Sequence, residues 1–106
     1  MPKFMIEATY TLEGTRGLIR EGGSKRREAV KAALKSVGGK VDAFYYAFGG
    51  TDVYAIIDAP DNATAAACAA AINATGAVQL RTTVLLDPEE IDEAVKKSVK
   101  YRAPGK

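Results

Sequence analysis

Alternating apolar and polar positions predict a strand at the start of the chain. Over the seven residues 4–10, the side chains switch character at nearly every step, with Phe4, Ile6, Ala8 and Tyr10 on one face and Met5, Glu7 and Thr9 on the other. A period of two over this length is typical of a strand that is buried on one face.

The rest of the chain predicts three more strands and three helices. In order, these are a helix from a Ser24 N-cap to about Val37, strands over 41–48 and 53–58, a helix from Asp61 or Asn62 to about Ala74, a strand over 78–86 and a short helix opened by Asp87-Pro88-Glu89-Glu90. Residues 13–23 hold four glycines and no clean period. We expect a loop there, with room for one short helical turn near Leu18-Ile19.

The order of the predicted elements indicates the fold. Gly49-Gly50-Thr51-Asp52 favours a tight hairpin between the second and third strands. The order β-α-β-β-α-β, with right-handed crossovers and a final helix, predicts an α+β, ferredoxin-like sandwich with strands one and three in the middle of the sheet. We expect one domain over residues 1–97 and a tail over 98–106.

Only one face of such a sheet is covered by helices, and the other face mixes apolar and polar side chains. Met5 lies on this outer face, so a monomer would expose an apolar patch. We therefore expect a second copy of the chain to cover it, at least as a dimer, in the arrangement of a dimeric α+β barrel. The last helix, about Glu89 to Lys97, is placed to clasp this contact.

Composition removes several classes of function. The net charge of +2 gives no reason to expect a nucleic-acid or membrane partner, and the chain has no long apolar run and no signal-peptide pattern at Met1-Pro2-Lys3-Phe4. Cys68 is the only cysteine and histidine is absent, so we expect a cytoplasmic protein with no metal and no cofactor. Any general base must be a carboxylate, a lysine or the single thiol.

The candidate site residues are polar or aromatic side chains near the predicted outer face and the hairpin. If the first and fourth strands are neighbours, the Glu7 carboxylate, the Arg81 guanidinium and the hydroxyls of Thr9 and Thr83 share the outer face. Such a group of side chains suits a small polar ligand. The favoured interpretation, however, is a simple ion pair between Glu7 and Arg81. Two tyrosines and the hairpin aspartate complete the set. The candidates are Glu7, Thr9, Arg81, Thr83, Tyr10, Tyr46 and Asp52.

Several motifs together resemble the GYD domain family. They are Gly38-Gly39-Lys40-Val41, Phe44-Tyr45-Tyr46, Phe48-Gly49-Gly50-Thr51-Asp52, Ala59-Pro60-Asp61-Asn62 and Gly76-Ala77-Val78. The resemblance implies a ferredoxin-like fold assembled as a dimeric α+β barrel, and it implies no particular activity. Thr51 stands where the family usually has the tyrosine of its Gly-Tyr-Asp signature, which puts any ligand contact of that tyrosine in question here.

These observations favour a homo-oligomer that binds a small organic molecule or metabolite in a cleft on the outer sheet face, without obvious catalysis. The alternative is a cofactor-independent monooxygenase or other oxidoreductase of the dimeric α+β-barrel type, with Glu7 as base and Tyr10 or Tyr46 as phenol donor. A third hypothesis is a plain interaction protein whose outer face serves only for assembly.

Overall fold

The computed structural model describes all 106 residues, which form four strands and four helices. Along the chain, the elements are β1 (Lys3–Tyr10), α1 (Leu12–Glu21), α2 (Gly23–Ser36), β2 (Lys40–Tyr46), β3 (Val53–Asp58), α3 (Asn62–Asn73), β4 (Val78–Leu85) and α4 (Pro88–Ala94). The fold is α+β, as the sequence predicted.

The four strands form one antiparallel sheet in the order β2-β3-β1-β4. Strands β1 and β3 therefore occupy the middle, which confirms the predicted ferredoxin-like arrangement. The register places Glu7 opposite both Tyr54 of β3 and Arg81 of β4. A β-bulge between Val41 and Ala43 shifts the pairing of β2 with β3.

Helix α1 occupies the segment where the sequence predicted a loop, and that prediction was wrong. Thr11 caps the helix, since its side chain accepts a hydrogen bond from the Gly14 amide at 3.2 Å. Glycine lowers helix propensity, which is why the segment looked irregular. At Gly14, however, glycine is needed, because a Cβ atom there would lie 1.9 Å from the Ala77 carbonyl oxygen. Tertiary packing thus overrides the local preference.

Two smaller boundaries also differ from the prediction. Helix α2 begins one residue before Ser24, with Gly22 as its N-cap, and it ends at Ser36 just before Gly38, whose φ is +82°. Strand β2 ends at Tyr46, and the Phe48 side chain beyond it is fully exposed.

The core lies between the sheet and helices α2 and α3. One cluster of buried residues joins Phe4 and Ile57 of the sheet to Leu34 of α2 and Ala65 of α3. A second cluster contains Ala8, Val53, Ala55 and Val78, all from strands. Helix α2 packs against β2 and α3 against β4, so each helix covers one edge of the sheet.

Four charged side chains form an ion-pair network at one end of the sheet. Lys3 contacts Asp42 and also donates to Asp58 at 2.8 Å, and Lys40 lies 3.5 Å from Asp58. The Asp58 side chain is only 6% exposed. The hydrogen bond from Lys3, followed by the positive charges of Lys3 and Lys40, holds the pKa of Asp58 below its ordinary value.

The segment after β4, residues 86–106, extends away from this body, and we call it the C-terminal arm. Every residue in it is exposed, including Leu86, Ile91, Val95, Val99 and Tyr101. The radius of gyration is 16.9 Å, against about 13 Å for a compact domain of this length. Helix α4 has the predicted capping box between Asp87 and Glu90. None of the four helices has both the length and the hydropathy needed to cross a membrane.

Two glycines of α1 provide a matched test of its packing. Gly14→Ala should lower the free energy of unfolding by about 1–3 kcal/mol, because the new methyl group has no space beside the Ala77 carbonyl. Gly17→Ala should raise it by about 0.5–1 kcal/mol, because the nearest neighbouring atom lies 4.0 Å away and alanine favours the helix. Urea denaturation monitored by circular dichroism measures both. Equal effects of the two substitutions would contradict the position of α1.

The ion-pair network predicts a loss of stability in acid. A carboxyl group whose pKa is lowered on folding stabilises the protein above its unfolded pKa, and this contribution disappears as the pH falls below about 3.8 and through the folded pKa. Asp58→Asn should therefore lower stability at pH 7 and flatten its dependence on pH between 7 and 2. Urea denaturation across that range measures this, with Asp92→Asn on exposed α4 as the control. An unchanged acid slope in Asp58→Asn would contradict the role of the network.

Candidate functional site

The outer sheet face brings Glu7 and Arg81 together, as the sequence predicted for neighbouring first and fourth strands. Nη2 of Arg81 lies 3.1 Å from Oε2 of Glu7 and also donates to the Thr51 hydroxyl at 2.9 Å. Thr51 is buried in the hairpin, although sequence reasoning gave it no contact. The guanidinium is thus held by a carboxylate from one neighbouring strand and a hydroxyl from the hairpin.

Within this cluster, the positive charge of Arg81 and the negative charge of Glu7 neutralise each other. Arg81 is largely exposed and Glu7 is half-buried, so the pair contributes little to stability in water. Thr83 is exposed and lies opposite Met5 in the register, and the Thr9 hydroxyl is 3.5 Å from the Gly50 carbonyl, at the limit of a hydrogen bond. The geometry favours the ion-pair interpretation over a preformed polar ligand site within one chain.

Asp52 connects the hairpin to the central strand β1. Its carboxylate accepts a hydrogen bond from the Tyr10 amide at 2.8 Å, and its own amide donates to the Ala8 carbonyl at 2.8 Å. The Ala47 amide in turn donates to the Asp52 carbonyl, also at 2.8 Å. These contacts give Asp52 a structural role, and they leave one of its carboxylate oxygens committed to the backbone.

Tyr10 and Tyr46 lie on the opposite, helix-covered face of the sheet. The Tyr46 hydroxyl donates to the Gly23 carbonyl at 3.1 Å, and its ring meets Phe44 edge-on at 5.4 Å between centroids. Burial, and secondly a hydrogen-bonding interaction with the neighbouring phenol of Tyr10, raise the pKa of Tyr46 to about 12. The Tyr46 phenol therefore stays protonated throughout the physiological range.

An apolar cavity of about 180 Å³ lies between the sheet and helices α2 and α3, and we call it the helix–sheet cavity. Fourteen of its fifteen lining residues are hydrophobic, and the exception is Arg26. Its walls include Ala33 of α2, Ile72 of α3 and Ala55 of the central strand β3. Each helix lies closest to a different edge of the sheet, and the cavity lies between them, against part of the central strands.

Sequence reasoning missed this cavity, although part of its signal was present. Four alanines line it, Ala29 and Ala33 of α2 with Ala8 and Ala55 of the strands, and such short side chains leave space between a helix and a sheet. The separation of the two helices, which determines how much of that space remains open, is a property of the tertiary structure alone.

A second opening, the hairpin cleft, lies beside the helix–sheet cavity. It has a volume of about 480 Å³ between α1 and the hairpin, and its walls include Leu18, Tyr46, Phe48 and Asp52. Tyr10 lines both spaces. The two openings therefore meet at this tyrosine, which lies between the apolar cavity and the more polar cleft.

The placement of these residues weakens the oxidoreductase alternative. Glu7 points to the outer face, whereas Tyr10 and Tyr46 point to the helix side, so the sheet itself separates the assigned base from the assigned phenols. These groups cannot act on one substrate within a single chain. No group of three or more cysteine or acidic side chains is arranged to hold a metal ion, and Cys68 lies half-buried in α3.

Comparisons with known proteins identify the family. No curated protein and no solved structure matches the chain. A family model described as the GYD domain matches residues 4–95 of the 106, from the first strand to the end of the last helix. The resemblance that the motifs around the hairpin suggested is therefore confirmed, and the chain belongs to the GYD domain family.

Proposed function

We propose that this GYD domain protein binds a small, mainly apolar organic molecule in the helix–sheet cavity. The observation that carries the proposal is the nearly complete apolar lining of a space of about 180 Å³ beneath two helices. Protein interiors are normally packed to the density of organic crystals, and an unfilled space of this kind lowers stability. Occupation by an apolar molecule would recover the lost contacts.

The size of the cavity limits the ligand. A dry apolar cavity of about 150 Å³ holds a benzene molecule. The helix–sheet cavity is slightly larger, so one ring or a short branched chain fills it.

The lining favours binding over catalysis. No carboxylate and no thiol lines the cavity, and its titratable side chains are Tyr10 and Arg26. Asp52 lies in the neighbouring cleft, where its carboxylate already accepts a hydrogen bond from the backbone. A general base near a bound molecule is therefore missing from this arrangement.

The protein also acts, in this proposal, as a homodimer built through the outer sheet face. Met5 and Ile56 are half-buried there, and Tyr45 and Tyr54 are exposed beside them. Burial of these side chains against a second copy would stabilise the pair by several kcal/mol, at about 25 cal/mol per Å², before the cost of association. The sequence also suggested a ligand cleft on the outer face, and this cleft requires the second copy as its far wall. The cleft stays a prediction.

The C-terminal arm supports the same assembly. Helix α4 has only seven residues, and isolated helices of that length are marginal in water. Its exposed Ile91 and its C-cap residue Val95 lie one turn apart and form a short apolar stripe, and the exposed Val99 follows in the irregular segment beyond the helix. Contact of this stripe with a second copy would both bury it and stabilise the helix.

The ligand site is tested by filling it. Ala33→Leu places three more carbon atoms in the cavity and should weaken binding of neutral phenylacetamide by at least about tenfold, while stability is kept or raised. Ala32→Leu is the matched control, because Ala32 is exposed and does not line the cavity. Titration of the ¹⁵N-labelled protein, followed by NMR, measures affinity and location. The proposal fails if no saturable shifts occur at cavity residues, or if both variants bind alike.

The dimer is tested by sedimentation and light scattering. We expect twice the chain mass of 11.2 kDa at micromolar concentration. Met5→Lys should raise the dissociation constant at least about tenfold, because it places a charge within the apolar contact. Ala32→Lys, on the exposed side of α2, should have no effect. A monomer mass across this concentration range would overturn the assembly and leave the ligand proposal standing.

A further inference from the structure

The rim of the helix–sheet cavity is positively charged. Arg26 is the only charged residue in its lining, and it extends from the first turn of α2. This helix carries five basic residues and one acidic residue, Glu28, whereas α3 on the other side carries no charged residue. The net charge of α2 on this side of the cavity is therefore positive, which favours anions.

The existing partner of Arg26 is weakly held. Nη1 of Arg26 lies 3.3 Å from Oε2 of Glu21, and both side chains are substantially exposed. Exposed ion pairs of this kind stabilise a protein little, so the guanidinium is able to exchange Glu21 for another carboxylate. A ligand anion at the cavity rim would meet Arg26 in a less hydrated setting, where the pairing is stronger.

The hairpin cleft is unfavourable for an anionic group. Asp52 lines the hairpin cleft, and its negative charge opposes a second carboxylate there. Tyr10 stands between that cleft and the cavity. A ligand with its apolar body in the cavity therefore has one favourable direction for a negative group, which is toward Arg26.

We infer that the helix–sheet cavity selects organic anions, with a ring-sized apolar body in the cavity and one carboxylate paired with Arg26. This inference rests on the proposed function and names the chemical class of its ligand. Arg26 determines the specificity for the ligand carboxylate. The apolar walls contribute the remaining affinity, which does not depend on the charge of the ligand.

The experiment compares two molecules of the same shape that differ in charge. Phenylacetate and phenylacetamide are titrated into the ¹⁵N-labelled protein and followed by NMR. We expect phenylacetate to bind at least about tenfold tighter, with a preference that shrinks as salt screens the rim. Arg26→Gln should remove the preference by lowering the affinity for phenylacetate to about that for phenylacetamide, whereas Arg26→Lys should retain part of the preference.

Arg27→Gln is the matched control. It removes the same charge from the adjacent position, but Arg27 is exposed, lies 3.7 Å from Glu28 and does not line the cavity. The preference for phenylacetate should survive this change. Glu21→Gln should strengthen phenylacetate binding, since it removes the competing carboxylate.

The outcomes separate the two levels of the proposal. Equal affinity for the two molecules overturns the selection of anions and leaves the cavity as a site for neutral ligands. Loss of the preference in Arg27→Gln to the same extent as in Arg26→Gln overturns the specific pairing in favour of general attraction by α2. Absence of saturable binding by either molecule overturns both this inference and the proposed function.

Discussion

The one-sided covering of the four-stranded sheet is the constraint on which the other features of this protein depend. Two right-handed crossovers place both main helices on the same face of the sheet. That face forms the core around Phe4 and Leu34. The opposite face, with Met5 and Ile56 among polar neighbours, is left without cover from the same chain. Burial of the exposed apolar surface then requires either the C-terminal arm or a second copy.

The same constraint explains the cavity. Helices α2 and α3 lie closest to opposite edge strands of the sheet, β2 and β4, and they reach the central strands through side chains such as Leu34 and Ala65. Small side chains such as Ala55 and Ala33 do not fill the space between them. The protein thus keeps an open apolar space beside a well-buried core, which is the arrangement expected of a site that accepts an apolar guest.

The polar groups divide between the two faces in a way that separates structural from functional roles. On the outer face, Arg81 contacts Glu7 and Thr51, and the charges in that cluster are compensated. On the helix side, Arg26 lies at the edge of an apolar space and pairs only with an exposed glutamate. The guanidinium beside the apolar cavity is therefore the better candidate for contact with a ligand.

The sequence by itself determined the strands and the hairpin, because period-two alternation and turn chemistry act locally, and the order of the elements with right-handed crossovers predicted the order of the sheet. The pairing of Glu7 with Arg81 was predicted only on the condition that the first and fourth strands are neighbours, which the tertiary structure supplies. The sequence did not predict α1, since the need for glycine at position 14 comes from Ala77, which is distant in sequence. The sequence likewise did not predict the helix–sheet cavity. Residues such as Arg26, Ala33 and Ala55 look ordinary along the chain, and only the separation of α2 from α3 decides that they line one space.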